Sequence, residues 1–271
     1  MLMDMQPSGE GRLPDHGRVA CTACFGGEAV VFDASRTGST NWRITANPCA
    51  WGNPNAEVVV LGFSKGPTQA GALARTPHDE IAYKGARHNV GRILHAVGLL
   101  ENGAKVDDLI TDQKGRLAFG SLVRCTVEQR DIRKGTWKGA GGDMLGGFLA
   151  DPWGQQVVRN CTARFLGNLP MATKLVVLFG FGKNGSYVNE AERVIRTVRG
   201  GDWRRLSEVA YTDGRVVFAH VEHFRSQGRL ILDWLGQIRP NGSAACPKRT
   251  SWRHQAVAAV RMAYPRGFQE S

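Results

Sequence analysis

The chain has no apolar run approaching the roughly 18 residues that mark a membrane-spanning helix, and its opening, MLMDMQPSGEGRLPDHG, puts acids, glycine and proline where a secretory leader needs an apolar core. A soluble, cytoplasmic protein with no membrane association is expected. Acids are scarce beside bases: 24 Asp and Glu against 35 Lys and Arg leave a formal charge of +11, a bias toward polyanions such as nucleic acid. The excess is not gathered into one basic tail, so it points to a charged face on a folded body. Internal repeats and low-complexity tracts are also missing, which excludes a repeat array. What remains is 271 residues with 42% hydrophobic content, enough to bury a sizeable core as one large or two small domains.

Residues 1–18 are expected to be disordered, and residues 33–56 to be loop with one short strand at Trp42–Thr45. A short strand is also read at Glu28–Phe32. Val58–Leu61 is a continuous apolar run between turn formers, the pattern of a buried strand, and breaks at Gly62 into the polar loop GFSKGP. Ligands usually sit in loops at the carboxyl ends of buried α/β strands. VGRILHAVGLL has helical spacing at Val90, Ile93, Leu94, Val97 and Leu100. Further strands are read at Ala118–Cys125, KLVVLFG and Arg215–His220, and further helices at Gln156–Leu169, Val188–Val198, Gln227–Ile238 and Trp252–Met262. Residues 129–155 carry Arg, Lys and seven glycines without periodicity and read as an inserted loop. Strands alternating with helices predict right-handed crossovers. The expected fold is a three-layer α/β/α sandwich around a central, mainly parallel four-stranded sheet, with one domain over 19–239 and a basic extension over 240–271.

Six cysteines in a protein expected to be intracellular point to metal or redox chemistry more than to disulfides. Cys21 and Cys24 form a CxxC; Cys125 ends GSLVRC, and Cys161 opens the helical pattern CTARFLGNL. Two close ligands and two distant ones meet only if the fold brings them together, so a metal closing the fold is expected. Zinc and an iron–sulfur cluster both take four thiolates, and the spacing does not choose between them. Cys49 and Cys246 read as small, partly buried residues.

The order of these parts resembles the iron–sulfur branch of the uracil-DNA glycosylase superfamily, that of the family 4 and family 5 enzymes. The likeness spans about residues 20–238. It lies in the CxxC at Cys21 and Cys24, the strand followed by GFSKGP, the aromatic in AYKGARHNVGRIL, SLVRC, CTARFL leading to a strand that ends in glycine, and a post-strand histidine loop in VVFAHVEHFRSQGR. The resemblance implies a 4Fe-4S cluster on Cys21, Cys24, Cys125 and Cys161, with zinc as the alternative. It also implies DNA as the partner of a monomeric base-excision enzyme that leaves an abasic site. Two departures bear on the substrate. The first loop offers Ser64 and Lys65 where the family has Asp, Glu or Asn, and Ser121 replaces the amide that reads uracil. A serine hydroxyl cannot make the two-pronged contact of an amide. A modified base is therefore expected in preference to plain uracil, such as the hypermodified cytosine of phage DNA, with antiphage defence as the role.

Glycosidic cleavage leaves positive charge on the sugar and negative charge on the base, so it needs an anion or positioned water near the sugar and a donor near the base. His223 is expected to be that donor, with His220 as the register-shifted alternative and part of the base pocket. Asp79, Glu80 and Ser64 are the candidates beside the sugar, with Glu222 as a further carboxylate. Phe63 and Tyr83 offer stacking faces for an extruded base. Lys65, Arg225, Ser226 and Gln227, together with Arg130, Arg133, Lys134 and Lys138 of the insertion, are expected to contact DNA. Three other readings stand beside this one: a plain uracil-DNA glycosylase, a non-catalytic binder of DNA or modified bases, and an NAD-dependent enzyme. The last rests on GFGKNG at Gly180–Gly185, which follows a strand and precedes a helix, but the next strand ends near Glu222, about twice too far for the acid of a dinucleotide site.

Overall fold

The computed structural model describes residues 11–27, 30–73, 75–139, 144–225, 229–238 and 241–269. The chain begins with short strands, β1 (Gly17–Arg18), β2 (Ser35–Thr37), β3 (Trp42–Thr45) and β4 (Cys49–Gly52), and then makes the fully buried β5 (Val58–Gly62). Pro67, with φ already set for a first helical turn, opens α1 (Pro67–Ala72), followed by α2 (His78–Ile81), α3 (Arg87–Ala96) and α4 (Val106–Thr111). In α3 the buried residues are Val90, Ile93 and Leu94, one face at helical spacing. Next come β6 (Leu117–Ser121), the hairpin β7 (Thr126–Asp131) and β8 (Thr136–Gly139), α5 (Leu145–Ala150) and α6 (Pro152–Leu166). Asp151 caps α6, its Oδ1 accepting from the N–H groups of Trp153 at 2.9 Å and Gly154 at 3.2 Å. The remainder is β9 (Leu175–Phe179), α7 (Ser186–Arg196), β10 (Arg204–Ser207), β11 (Ala210–Thr212), β12 (Val217–Val221), α8 (Arg229–Leu235) and α9 (Pro247–Ala263).

These strands form an eight-stranded sheet in the order β1-β4-β6-β5-β9-β12-β11-β10 and a separate four-stranded sheet in the order β2-β3-β7-β8. In the large sheet β6, β5, β9 and β12 pair in parallel, and antiparallel strands extend both sides. The small sheet is antiparallel throughout. This corrects the expected fold: the central sheet is not four-stranded but eight-stranded and mixed, and a second sheet stands outside it. The physical reason lies in the added strands. They are two to six residues long, too short to show a clear alternation, and some pair with partners far away in sequence, such as Trp51↔Phe119 and Arg43↔Glu128.

Two further readings change. Residues 129–155 are not structureless: they hold the end of β7, β8, α5 and the start of α6. The basic extension is built into the body, since α9 packs on α8, β11 and β12 and buries Trp252, Ala256, Ala259 and Val260. Residues 28 and 29 of the expected strand at 28–32, and residues 1–10 of the expected disordered start, lie outside the described residues; Leu13 is buried. Among the described residues no helix is long and apolar enough to cross a membrane.

Parallel pairing brings four strand exits to one edge. Gly62 is in register with Ser121, and Leu61 and His220 each stand opposite Leu178. Backbone bonds stitch the exits together: the Leu122 N–H donates to the Gly62 carbonyl at 2.8 Å and the Gly180 N–H to the Val221 carbonyl at 2.7 Å.

Candidate functional site

A cavity of about 290 Å³ opens at this edge, lined by the loop after β5 (Phe63, Ser64, Gly66), the start of α1 (Pro67, Thr68, Gln69), Tyr83 and Lys84, the last residue of β8 (Gly139), and His223, Phe224 and Arg225 after β12. A larger cleft of about 500 Å³ lies along α3 and is lined by Arg87, Arg92, Arg253, Asp107 and Glu101 among others. Its charges are mixed and its form is open, whereas the smaller cavity gathers aromatic walls and polar donors at the carboxyl ends of parallel strands, the position where α/β sheets bind ligands.

Phe63 and Tyr83 are both buried. Phe63 meets Tyr187 edge-on at 6.2 Å, and Tyr83 presents its ring edge-to-face to Phe224 at 5.0 Å, Phe179 at 5.6 Å and Phe119 at 6.0 Å. Tyr83 is one of three non-glycine residues with positive φ among the described residues, at +53°. Its hydroxyl is buried without a partner among the described residues, and burial pushes its phenol well above the usual range. A strained backbone and an unpaired buried hydroxyl at one residue are the pattern that accompanies ligand sites. Ser64 Oγ accepts the Val127 N–H at 3.4 Å, which ties the β5 loop to β7.

The two histidines differ in kind. His223 Nδ1 accepts the Arg225 N–H at 3.1 Å, so the neutral ring carries its proton on Nε2 and is a donor there. The ring stacks on Phe224 at 4.4 Å, and the His223 N–H donates to Glu222 Oε1 at 2.9 Å. Glu222 is buried and paired through its other oxygen with Arg249. His220 does not reach the cavity. It is fully buried, its Nδ1–H donating to the Gly180 carbonyl at 3.0 Å and its Nε2 accepting from the Tyr211 hydroxyl at 3.3 Å. Burial holds its pKa down at about 3, so it stays neutral.

Of the other residues expected at the site, Ser64, Phe63, Tyr83, His223 and Arg225 share the cavity. Ser121 ends the neighbouring strand in register with Gly62 but is not among the lining residues. Asp79 lies elsewhere, half exposed and paired with His16 Nε2 at 2.7 Å. Glu80 is exposed on α2 and does not line the cavity. Arg130, Arg133 and Lys134 are exposed on the β7–β8 hairpin, and Lys138 pairs with Asp131 at 2.5 Å. Ser226 and Gln227 lie outside the described residues. Lys65 is not a surface cation: it is 2% exposed and its Nζ donates to the Arg124 carbonyl. Both residues lie in the irregular loop after β5, which turns Lys65 inward while Ser64 lines the cavity. Sequence reasoning missed Gln69, Lys84 and Gly139. The amide of Gln69 could have been flagged as a base-reading group two residues after GFSKGP; Gly139 carried no local signal.

The four expected ligands come within electrostatic reach of one another. Burial pushes the Cys125 thiol up to about 12, with Cys24 and Cys21 adding to the effect, and pushes the Cys161 thiol higher still, reinforced by Cys125, Cys24 and Cys21. The Cys24 thiol is raised by burial and by Cys21. The Asn160 amide donates to Cys24 Sγ at 3.5 Å. Arg124 is 3% exposed and sits with Lys65 beside these thiols. Its guanidinium reaches the carbonyls of Cys49 at 3.3 Å and Phe119 at 3.5 Å, its Nε has no partner among the described residues, and burial lowers its pKa to about 10. Neither cation has a carboxylate partner among the described residues. Burying an unpaired charge costs several kcal/mol, and thiolates would supply the missing negative charge. Among the described residues no group of three or more His, Cys, Asp or Glu side chains is placed to hold a metal ion.

GFGKNG forms a tight turn with Gly180, Gly182 and Gly185 all at positive φ, and it packs toward the cavity wall, since Gly180 faces His223. The strands that follow α7, β10 and β11, are antiparallel, and Glu222, the acid at the end of the next parallel strand, is held by Arg249. This is not the arrangement of a dinucleotide site.

Compared with protein-family models and with curated proteins, the chain matches none.

Proposed function

We propose that the protein is a monomeric DNA N-glycosylase that receives an extruded base in the 290 Å³ cavity and releases it, leaving an abasic site. The observation that carries this reading is the convergence of the β5 loop, Tyr83 and His223 on one aromatic-walled cavity at the carboxyl ends of parallel strands. Water adds to the sugar carbon as the bond to the base nitrogen breaks, the bonding pair leaves with the base, and the base takes a proton. His223 Nε2–H donates toward that developing negative charge. Lys84 and Arg225 add positive charge at the rim, Phe63 and Tyr83 provide apolar faces, and the Gln69 amide reads the base edge. No carboxylate lines the cavity among the described residues. The cavity therefore supports the leaving-group half of the reaction most directly.

Cys21, Cys24, Cys125 and Cys161 would hold an iron–sulfur cluster, which would cross-link the amino-terminal turn, the exit of β6 and α6. Buried Lys65 and Arg124, which have no carboxylate partner among the described residues, support an anionic centre on these thiolates. A substrate bulkier than uracil is supported by a cavity equal to about ten water volumes and by Ser121 in place of an amide. Hypermodified phage cytosine, and a role in antiphage defence from the cytoplasm, follow as the specific form of the proposal.

A second reading, a non-catalytic binder of modified bases, is favoured by the lack of a lining carboxylate among the described residues. Incubating the protein with phage-modified DNA and with uracil-containing DNA, followed by alkali, separates the two readings. Strand breaks and free base from modified DNA are expected. Tight binding without breaks on any substrate would overturn the glycosylase reading, and efficient release of uracil alone would overturn the substrate assignment.

A further inference from the structure

The β7–β8 hairpin begins and ends at the cavity. At its root, Ser64 accepts the Val127 N–H, and Gly139 lines the cavity so closely against Pro67 that an added Cβ would stand 2.8 Å from the proline ring. From the Glu128↔Gly139 pair to the Asp131↔Thr136 pair is three residue steps, so the apex stands roughly 10 Å out from the cavity rim.

Both ends of the hairpin are held firmly. Glu128 takes a two-pronged bond from Arg43, at 2.7 and 2.9 Å, and a third from Thr45 Oγ1 at 3.0 Å, while the Arg43 guanidinium lies over the Trp137 ring. At the apex, Asp131 Oδ1 accepts the N–H groups of Arg133 at 3.1 Å and Lys134 at 3.3 Å, its Oδ2 binds Lys138, and Gly135 takes the positive φ that closes the turn. Ile132 sits on this fixed turn and is 79% exposed, the most exposed large apolar residue among those described. Arg130, Arg133 and Lys134 surround it, all exposed and none ion-paired among the described residues.

A single exposed isoleucine on a surface needs no explanation. One held at the tip of a rigid, cationic arm is different, because the cations would bind phosphates on both sides of whatever the apolar tip enters. A nucleotide swung out of a duplex leaves a gap in the stack, and the side chain that fills it must stand apart from the pocket that receives the base. On the premise that the cavity receives an extruded nucleotide, we infer that the β7–β8 hairpin is the duplex-opening arm of this protein, with Ile132 entering the base stack as a wedge while Arg130, Arg133 and Lys134 hold the flanking phosphates. Single-stranded DNA has no stack to open, so the wedge matters for duplex substrates alone.

The test uses a short duplex carrying an abasic analogue at the target position with 2-aminopurine as its neighbour, and the same target strand alone. Wild-type protein is expected to raise 2-aminopurine fluorescence severalfold on the duplex, Ile132→Ala to lose most of that rise, and Ile132→Phe to retain it. Binding to the single strand and the thermal midpoint should be unchanged in both variants, since the side chain is exposed. Equal fluorescence for Ile132→Ala and wild type, or no rise with wild type, overturns the inference. Release of base from single-stranded modified DNA is measured alongside. Unstacking without release by wild type would overturn the catalytic reading alone, and release with no dependence of unstacking on Ile132 would overturn the wedge alone.

Discussion

His223 and His220 lie three residues apart, and their fates follow from what each ring touches. His223 is partly exposed, lines the cavity and presents Nε2–H; His220 has both nitrogens committed inside the core. Replacing His223 with alanine is expected to lower kcat for base release about 10²- to 10³-fold, the usual consequence of losing one donor to a developing anion, with the thermal midpoint nearly unchanged. His220→Asn should do the reverse. Losing its two buried hydrogen bonds should cost roughly 1–3 kcal/mol, read as a fall in denaturant midpoint. The pH dependence has a definite sign. The folded pKa of His220, about 3, lies below the roughly 6.5 of an unfolded histidine, so between these values the unfolded chain binds the extra proton. Stability from this residue is therefore complete above about pH 6.5 and falls on acidification toward pH 3, by at most about 1.4 kcal/mol per pH unit. Denaturant midpoints across that range should show a shallower acid limb in His220→Asn than in wild type.

At the level of elements, the turn between β9 and α7 sets one wall of the cavity. Gly182 has φ +68°, and a Cβ there would stand 2.6 Å from both Ser186 Oγ and the Tyr187 nitrogen, while Gly185, at φ +85°, faces open space. Both substitutions to alanine incur the cost of a positive φ, about 1–2 kcal/mol, but only Gly182→Ala also displaces the start of α7 and Tyr187, which supports Phe63. Gly182→Ala should lower the melting temperature by clearly more than Gly185→Ala, at about 2–4 °C per kcal/mol lost, and should slow base release as well. Elements of this kind divide by their visibility in the sequence. β5 and β9 are continuous apolar runs, and α3 and α7 place Val90, Ile93 and Leu94, or Val188, Ala191, Val194 and Ile195, on one face, so local periodicity reveals them. β7, β8, β10 and β11 lack such a signature because they are short, partly exposed strands defined by hairpin pairing and, for β7, by pairing with distant β3.

For the molecule as a whole, the proposed cluster would join segments more than 130 residues apart, Cys21 and Cys24 to Cys161. Closing so long a loop restricts the unfolded chain strongly, and two buried cations would lose a nearby source of negative charge if the thiolates were gone. Cys125→Ser is expected to abolish bound iron and sulfide and the visible absorbance of the purified protein, and to lower the unfolding midpoint. Cys49→Ser should leave the absorbance intact, because Cys49 is buried beside Lys65 and Arg124 but is not one of the four mutually coupled thiols. Equal metal content in the two variants would count against the cluster assignment.

By itself the sequence determined the apolar runs, the helical faces, the cationic excess and the supply of thiols, because each is a property of adjacent residues or of composition. Tertiary structure alone decided that Lys65 turns inward while Ser64 faces the cavity, that Asp79 is spent on His16, and that a hairpin from mid-chain ends against Pro67. These outcomes depend on strand register and on which distant exits share an edge. Register is set by packing the whole sheet at once, and no window along the chain contains that information.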